Sequence, residues 1–351
     1  MFSQTSTLQM PHAGTVKQPR HVAFDIIRCV AVFSVIAVHI ASPVSANNIL
    51  HEFNWWVGNT YQAVFRSGIP LFLMLSGALL LPRATGLSFI GRRVWRIFLP
   101  FSFWTAVYLL ARNDLATLGF SDYFYELVNS SVNHFWYVYT ILVFYLLMPF
   151  IRLISKKASF SVSGILVATL LTTFSSMFIP SERPIVVEVI KHVIFAQYLL
   201  MGYCLSTNNQ DEWWLKNIPM SVALIIIGIG ITCFGSYYIS KLAPDQSEVF
   251  YRSTSLNIFI KALGVWLLIK QTANSITSKA LNIISLISKY SFGVYLIHVL
   301  VLEHILISWF RISYNNLSPL LGILVLSSIT FILSVAILYI LDRFLSFKAA
   351  Y

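Results

Sequence analysis

Charge is what this sequence has least of. Of 351 residues only 24 are Lys or Arg and 13 are Asp or Glu, 11% in all, where an ordinary soluble domain carries roughly 25%. With 57% of residues hydrophobic, too few polar side chains remain to coat a water-facing surface, and a soluble globular fold is excluded. Cysteine is nearly as sparse. Cys29, Cys204 and Cys233 all lie in apolar runs, and none has metal-ligand spacing, so they read as small buried hydrophobes and not as a metal site. The first 22 residues lack the apolar core of a signal peptide, and residues 1–21 are expected to form a disordered cytoplasmic tail. The chain also lacks internal repeats, low-complexity tracts, and any connection longer than about 20 residues, the longest running from Arg112 to Asn133. A second domain has no room. The formal charge of +11 does not mark a nucleic-acid binder, because the basic residues are scattered among loops and form no arm or groove-sized patch.

What is present is apolar length. Hydrophobic runs of helical size recur about ten times, at roughly 23–43, 60–81, 94–112, 134–154, 161–180, 188–206, 219–239, 254–270, 283–306 and 317–341. Continuous runs exclude a β-barrel, whose strands alternate, and lipid offers unpaired backbone no partner. The expected fold is therefore all-α, a polytopic membrane bundle of about ten transmembrane helices filling residues 22–345. Orientation follows from the basic residues. With both termini cytoplasmic, Lys17, Arg20, Arg83, Arg92, Arg93, Arg96, Arg152, Lys156, Lys157, Lys216, Lys270, Lys279, Lys289, Arg343 and Lys348 fall inside. Only Arg112, Arg183, Lys191, Lys241, Arg252 and Arg311 fall outside, while Arg28, Arg66 and Lys261 lie within spans. Tryptophans 55, 56, 95, 136, 213, 214 and 309 sit near span ends as an aromatic belt, and prolines 82, 100, 149 and 180 are expected to mark such ends.

The first span, FDIIRCVAVFSVIAVHIAS, holds Arg28 near its start and His39 near its end. Eleven residues make about three turns with about 20° left over, so both side chains share one face about 16 Å apart along the axis. Ionisable groups in hydrocarbon require a partner or a wet cavity, and two aligned on one face point to a polar groove. The plainer reading pairs Arg28 with Asp25 at the membrane edge and makes His39 an interfacial histidine. Helix rise gives the other polar groups a depth. His39, Arg66, His134, His298 and Glu303 fall in the outer leaflet, and Pro70 leaves the carbonyl of residue 66 without its helical donor. On the inner side GRRVWR supplies Arg92, Arg93 and Arg96. They serve either as a stop-transfer cluster or as a phosphate clamp, since guanidinium forks match phosphate oxygens. Lys261 receives no role.

These segments resemble the acyltransferase 3 family of bacterial membrane-bound acyltransferases. FDIIRCVAVFSVIAVHI is similar to its N-terminal motif, an Arg and a His with ten residues between them. IPLFLMLSGALLL, with Ser76 and Gly77, is similar to its second-helix Ser-Gly motif, and RRVWR to its cytoplasmic Arg-x-x-Arg. HFWYVYTILVFYLLMPFIR and SFGVYLIHVLVLE resemble later segments of the subgroup that includes the enterobacterial common antigen and surface-polysaccharide O-acetyltransferases. The likeness runs over nearly all of residues 20–345. Two departures are that the first motif usually reads Leu-Asp-Gly-Leu-Arg, and that Ala78 stands where an aromatic often follows the Ser-Gly pair. Neither touches the ionisable groups.

The resemblance implies a multi-pass protein of the bacterial inner membrane. It takes acetyl-CoA as donor and a hydroxyl of a surface polysaccharide or lipid-linked glycan as acceptor, with no metal. It implies His39 as general base or, alternatively, as a transient acyl carrier, Arg28 holding the donor or stabilising the oxyanion, and Asp25 orienting Arg28. Arg92, Arg93, Arg96 and Ser76 would hold the donor. His134, Trp136, Tyr137, Arg66, His298 and Glu303 would face the sugar. The rival readings are a secondary transporter, which favours broken helices in matching halves, or a translocase of a glycan intermediate. Pro70 supplies one interruption of that kind and no counterpart is visible.

Overall fold

The computed structural model describes residues 21–83, 86–112, 119–129, 132–157, 161–176, 184–207, 213–243, 248–312 and 318–345. The expected tail at 1–21 lies almost wholly outside that range, as do Arg183 and Lys348. The described chain is helical, with no strand among the described residues. In order the helices are α1 (Val22–Ala46), α2 (Phe53–Phe65), α3 (Gly68–Leu80), α4 (Leu87–Arg112), α5 (Phe120–Asn129) and α6 (Trp136–Lys157). Then come α7 (Val162–Ser176), α8 (Pro184–Thr207), α9 (Ile218–Leu242), α10 (Leu256–Thr272), α11 (Ser278–Leu300) and α12 (Pro319–Leu345). Among the described residues nine helical stretches are long and apolar enough to cross a membrane, and Val162–Phe174 is a shorter apolar helix in the place expected for a tenth. The chain is a polytopic membrane protein.

α1 is the hub. It packs on α2, α3, α11 and α12, and Ile27, Ala31, Val32, Ile36, Ala37, Ala41 and Val44 on it are wholly buried. In lipid no hydrophobic force drives helices together, so close van der Waals approach through small residues must do so. The α3–α8 crossing takes this to its limit. A Cβ built on Gly77 would lie 1.8 Å from the Leu199 carbonyl oxygen, and one on Gly202 would lie 1.9 Å from that of Met74. Only glycine fits either position, so the Ser-Gly pair has a packing reason for its second member.

Proline acts differently at three places. α2 and α3 make one crossing, broken at Arg66 and Ser67, where Pro70 cannot donate to the Arg66 carbonyl. Pro100 and Pro149, expected at span ends, lie instead inside α4 and α6, which continue past them. Neighbouring helices tolerate such prolines in membrane spans. The long connection after Arg112, expected as loop, holds α5. Phe120, Phe124 and Val128 at fourfold spacing are exposed, while Glu126 is buried and lies 3.9 Å from Arg112. With Ser121 and Asp122 also exposed, α5 is an amphipathic helix of the kind that lies in the membrane interface. α11 runs on into a π-helical segment, Val301–Trp309. Tyr108 brackets that transition, its hydroxyl donating to the Leu296 carbonyl at 3.1 Å and accepting from the Leu300 amide at 2.9 Å.

Candidate functional site

α1, α3, α4, α6 and α11 enclose a cavity of about 1170 Å³, slightly larger than the usual range for small-molecule sites. Its mouth lies at the ends of α1 and α4 that carry the basic residues. Arg83, Arg92, Arg93, Arg96 and Lys289 line it, and Arg93 lies over the Phe89 ring at 5.3 Å. Deeper, Ser76, Arg28 and Asp25 form the wall. Arg28 donates from Nη1 to Asp25 Oδ1 at 2.8 Å and to Ser288 Oγ at 3.2 Å, and Ser288 donates to the same carboxylate oxygen at 2.6 Å. The carboxylate is nearly buried, whereas the Arg28 side chain keeps 30% exposure. A three-way network therefore fixes the guanidinium while leaving part of it open to the cavity.

Tyr137 and Tyr295 line the cavity and meet edge to face with ring centres 5.5 Å apart, and the Tyr295 ring lies 5.7 Å from that of His134. The Tyr295 hydroxyl donates to the His134 carbonyl, and Ser76 lies within hydrogen-bond reach of Tyr137. Immediately beyond this layer three imidazoles converge. His39 and His298 lie 5.0 Å apart by ring centres, His134 and His298 4.8 Å, and His39 and His134 5.8 Å. His134 and His298 are buried, and His39 is part-exposed. Backbone carbonyls only accept, so each contact with one fixes a tautomer in the neutral ring. Nδ1 of His298 donates to the Tyr295 carbonyl at 2.7 Å, and Nε2 of His134 donates to that of Leu296 at 3.3 Å. No group of three or more His, Cys, Asp or Glu among the described residues could hold a metal ion.

Arg28, Asp25, Ser76, Arg92, Arg93, Arg96 and Tyr137 thus share the cavity, and His39, His134 and His298 form the cluster behind it. Three other residues singled out in the sequence stand elsewhere. Arg66 donates to Gln62 and, at 3.3 Å, to the Tyr251 carbonyl, and it lies over the Tyr251 ring. It stays within electrostatic reach of His39. Trp136 turns away from the histidines, stacking on Phe195 at 5.8 Å beneath the Lys191 ammonium. Glu303 is exposed on the π-helical segment. Tyr137 is itself half of the tyrosine layer and lines the cavity with Tyr295. Ser288 and Tyr295 escaped the sequence reading, although Ser288, Ser291, Tyr295 and His298 recur at three- and four-residue steps. A polar stripe of that period on an apolar helix was the available signal.

The acyltransferase 3 profile, described as an acyltransferase domain, matches residues 21–339. The chain is 26% identical over 137 residues to the nodulation protein NolL of Sinorhizobium fredii (strain NBRC 101917 / NGR234), a match covering 36% of each chain. The chain therefore matches little more than a third of that relative's length. No solved structure matches.

Proposed function

Because the chain belongs to the acyltransferase 3 family, we propose that it is a membrane O-acetyltransferase of the bacterial inner membrane. In this reading it moves acetyl from cytoplasmic acetyl-CoA to a hydroxyl of a surface polysaccharide or lipid-linked glycan on the opposite side. One observation carries the reading: a single cavity has arginines at its mouth, a fixed Arg28 on its wall, and three histidines behind its tyrosine layer.

The donor set suits the ligand. Acetyl-CoA would bring an acetyl group activated as a thioester. Arg92, Arg93 and Arg96 would hold its phosphates through charge-assisted, bidentate hydrogen bonds. Arg28 and His39, about 16 Å apart along α1, would bracket the groove that takes the extended arm. Arg28, immobilised by Asp25 and Ser288, would place the donor or stabilise the developing oxyanion. Tyr137 or Tyr295 must turn aside for the thioester to reach the cluster.

His39 then acts as general base, the usual choice near neutral pH for a sugar hydroxyl. His39 takes the hydroxyl proton as the oxygen bonds to the acetyl carbon. The carbon–sulfur bond breaks, and the leaving sulfur receives that proton from His39. In this reading His134, which joins the same cluster, would face the acceptor.

Converting both Arg93 and Arg96 to Ala should raise the Michaelis constant for acetyl-CoA about tenfold or more, the factor expected from losing one or two charge-assisted bonds. Turnover should change less, because uniform binding is what is lost. Steady-state transfer in isolated membranes measures both constants, and an unchanged Michaelis constant would return these arginines to topology alone. Mass spectrometry of glycans from cells with and without the protein should show the added acetyl only in its presence.

A further inference from the structure

We propose that His298 is the positioning residue for His39, accepting a hydrogen bond from the His39 ring N–H through its own Nε2. The inference rests on the reading of His39 as base. His298 is fully buried, and its Nε2 has no hydrogen-bond partner. A buried polar atom without a partner is uncommon, and here its chemistry is fixed. Nδ1 carries the proton, held at 2.7 Å on the Tyr295 carbonyl, so Nε2 of the neutral ring holds a lone pair that can only accept.

Two neighbouring rings lie close enough to supply a donor, His134 at 4.8 Å and His39 at 5.0 Å between centres. His134 is eliminated by the same logic. Its Nε2 proton points to the Leu296 carbonyl, which leaves its Nδ1 as another acceptor, and two acceptors cannot pair. Of these two rings, His39 alone has an uncommitted N–H. Contacts of this kind are often long before substrate binds and tighten in the reacting complex. With one nitrogen donating to His298, the other His39 nitrogen presents its lone pair to the acceptor hydroxyl. Once His39 is protonated, His298 solvates the imidazolium. A carboxylate does the equivalent task in a hydrolase triad; here a neutral imidazole does it, with no buried anion.

Two substitutions separate this role from a structural one. Gln at 298 sets an amide oxygen near the Nε2 position, restoring the acceptor but not the Tyr295 bond. Asn sets its amide near Nδ1, keeping the Tyr295 bond but offering His39 nothing. Transfer of radiolabelled acetyl from acetyl-CoA into the glycan fraction of membranes carrying each full-length variant is the readout. His298→Asn should lower kcat about 100-fold with the acetyl-CoA KM unchanged, while His298→Gln keeps at least about a tenth of wild-type kcat. Wild-type turnover in the Asn variant, or equal loss in both, would overturn the proposal. Should the Asn variant fail to accumulate, the Gln variant decides alone, since a folded Gln protein as inactive as His39→Ala would overturn it too. Full activity in both His298 variants beside a dead His39→Ala would sink this inference and leave the function standing. Retained transfer in His39→Ala would sink the functional reading itself.

Discussion

His39→Ala should lose at least about 100-fold, and up to about 10⁴-fold, in acetyl transfer, the range a positioned acid–base group contributes. The loss should fall on kcat, with little change in the acetyl-CoA Michaelis constant. The reason is separation: the proposed donor contacts at Arg92, Arg93, Arg96 and Arg28 lie on the other side of the Tyr137–Tyr295 layer. Protein amount in the membrane should be unchanged, because His39 is part-exposed and its neighbours Ile36, Ala37, Ile40 and Ala41 carry the packing of that turn. Label incorporation measured against protein level tests both halves at once. Substantial transfer by the variant would remove His39 from the chemistry.

The second large effect is structural. At the α3–α8 crossing the atoms facing Gly77 and Gly202 are backbone carbonyls, which no rotamer change can move. Gly77→Ala should therefore cost about 3 kcal/mol, at the upper end for overpacking, and Gly77→Leu should abolish the folded protein. Gly202→Ala should behave alike. The double alanine variant should cost less than the sum, because helices already forced apart by one methyl make room for the second. Thermal unfolding in detergent reads the alanine variants, and a wild-type midpoint for Gly77→Ala would contradict the crossing. The consequence for function is direct, since Ser76, beside Gly77, lines the cavity wall.

The all-helical membrane fold was legible because apolar length and the demands of lipid leave few alternatives. The shared face of Arg28 and His39 was legible too, since it needs only the helical period. Depth along a span could be counted from helix rise, and that count brought His134 and His298 to the level of His39. Rotation about the axis of other spans could not be counted without their neighbours. Trp136 and Tyr137 are adjacent in sequence at one depth, yet one stacks on Phe195 and the other meets Tyr295. Glu303 lies exposed on the π-helical segment after His298, a change of helical period that apolar length does not announce. At the break before Gly68, Arg66 turns to Gln62 and Tyr251, partners that depth alone does not reveal. Pro100 and Pro149 misled because a rule learned for soluble helices weakens where neighbouring spans can satisfy freed carbonyls. α5 was hidden by counting the connection's length and not the period of Phe120, Phe124 and Val128.

Sealed membrane vesicles supplied with labelled acetyl-CoA from one face at a time test most directly whether a donor bound at the arginine mouth is spent at the histidines beyond the tyrosine layer. In the proposed orientation inverted vesicles carry that mouth outward and should label their glycan immediately, and right-side-out vesicles only after permeabilisation. Equal labelling in both, or labelling confined to intact right-side-out vesicles, would contradict a cavity that loads on one side and reacts toward the other.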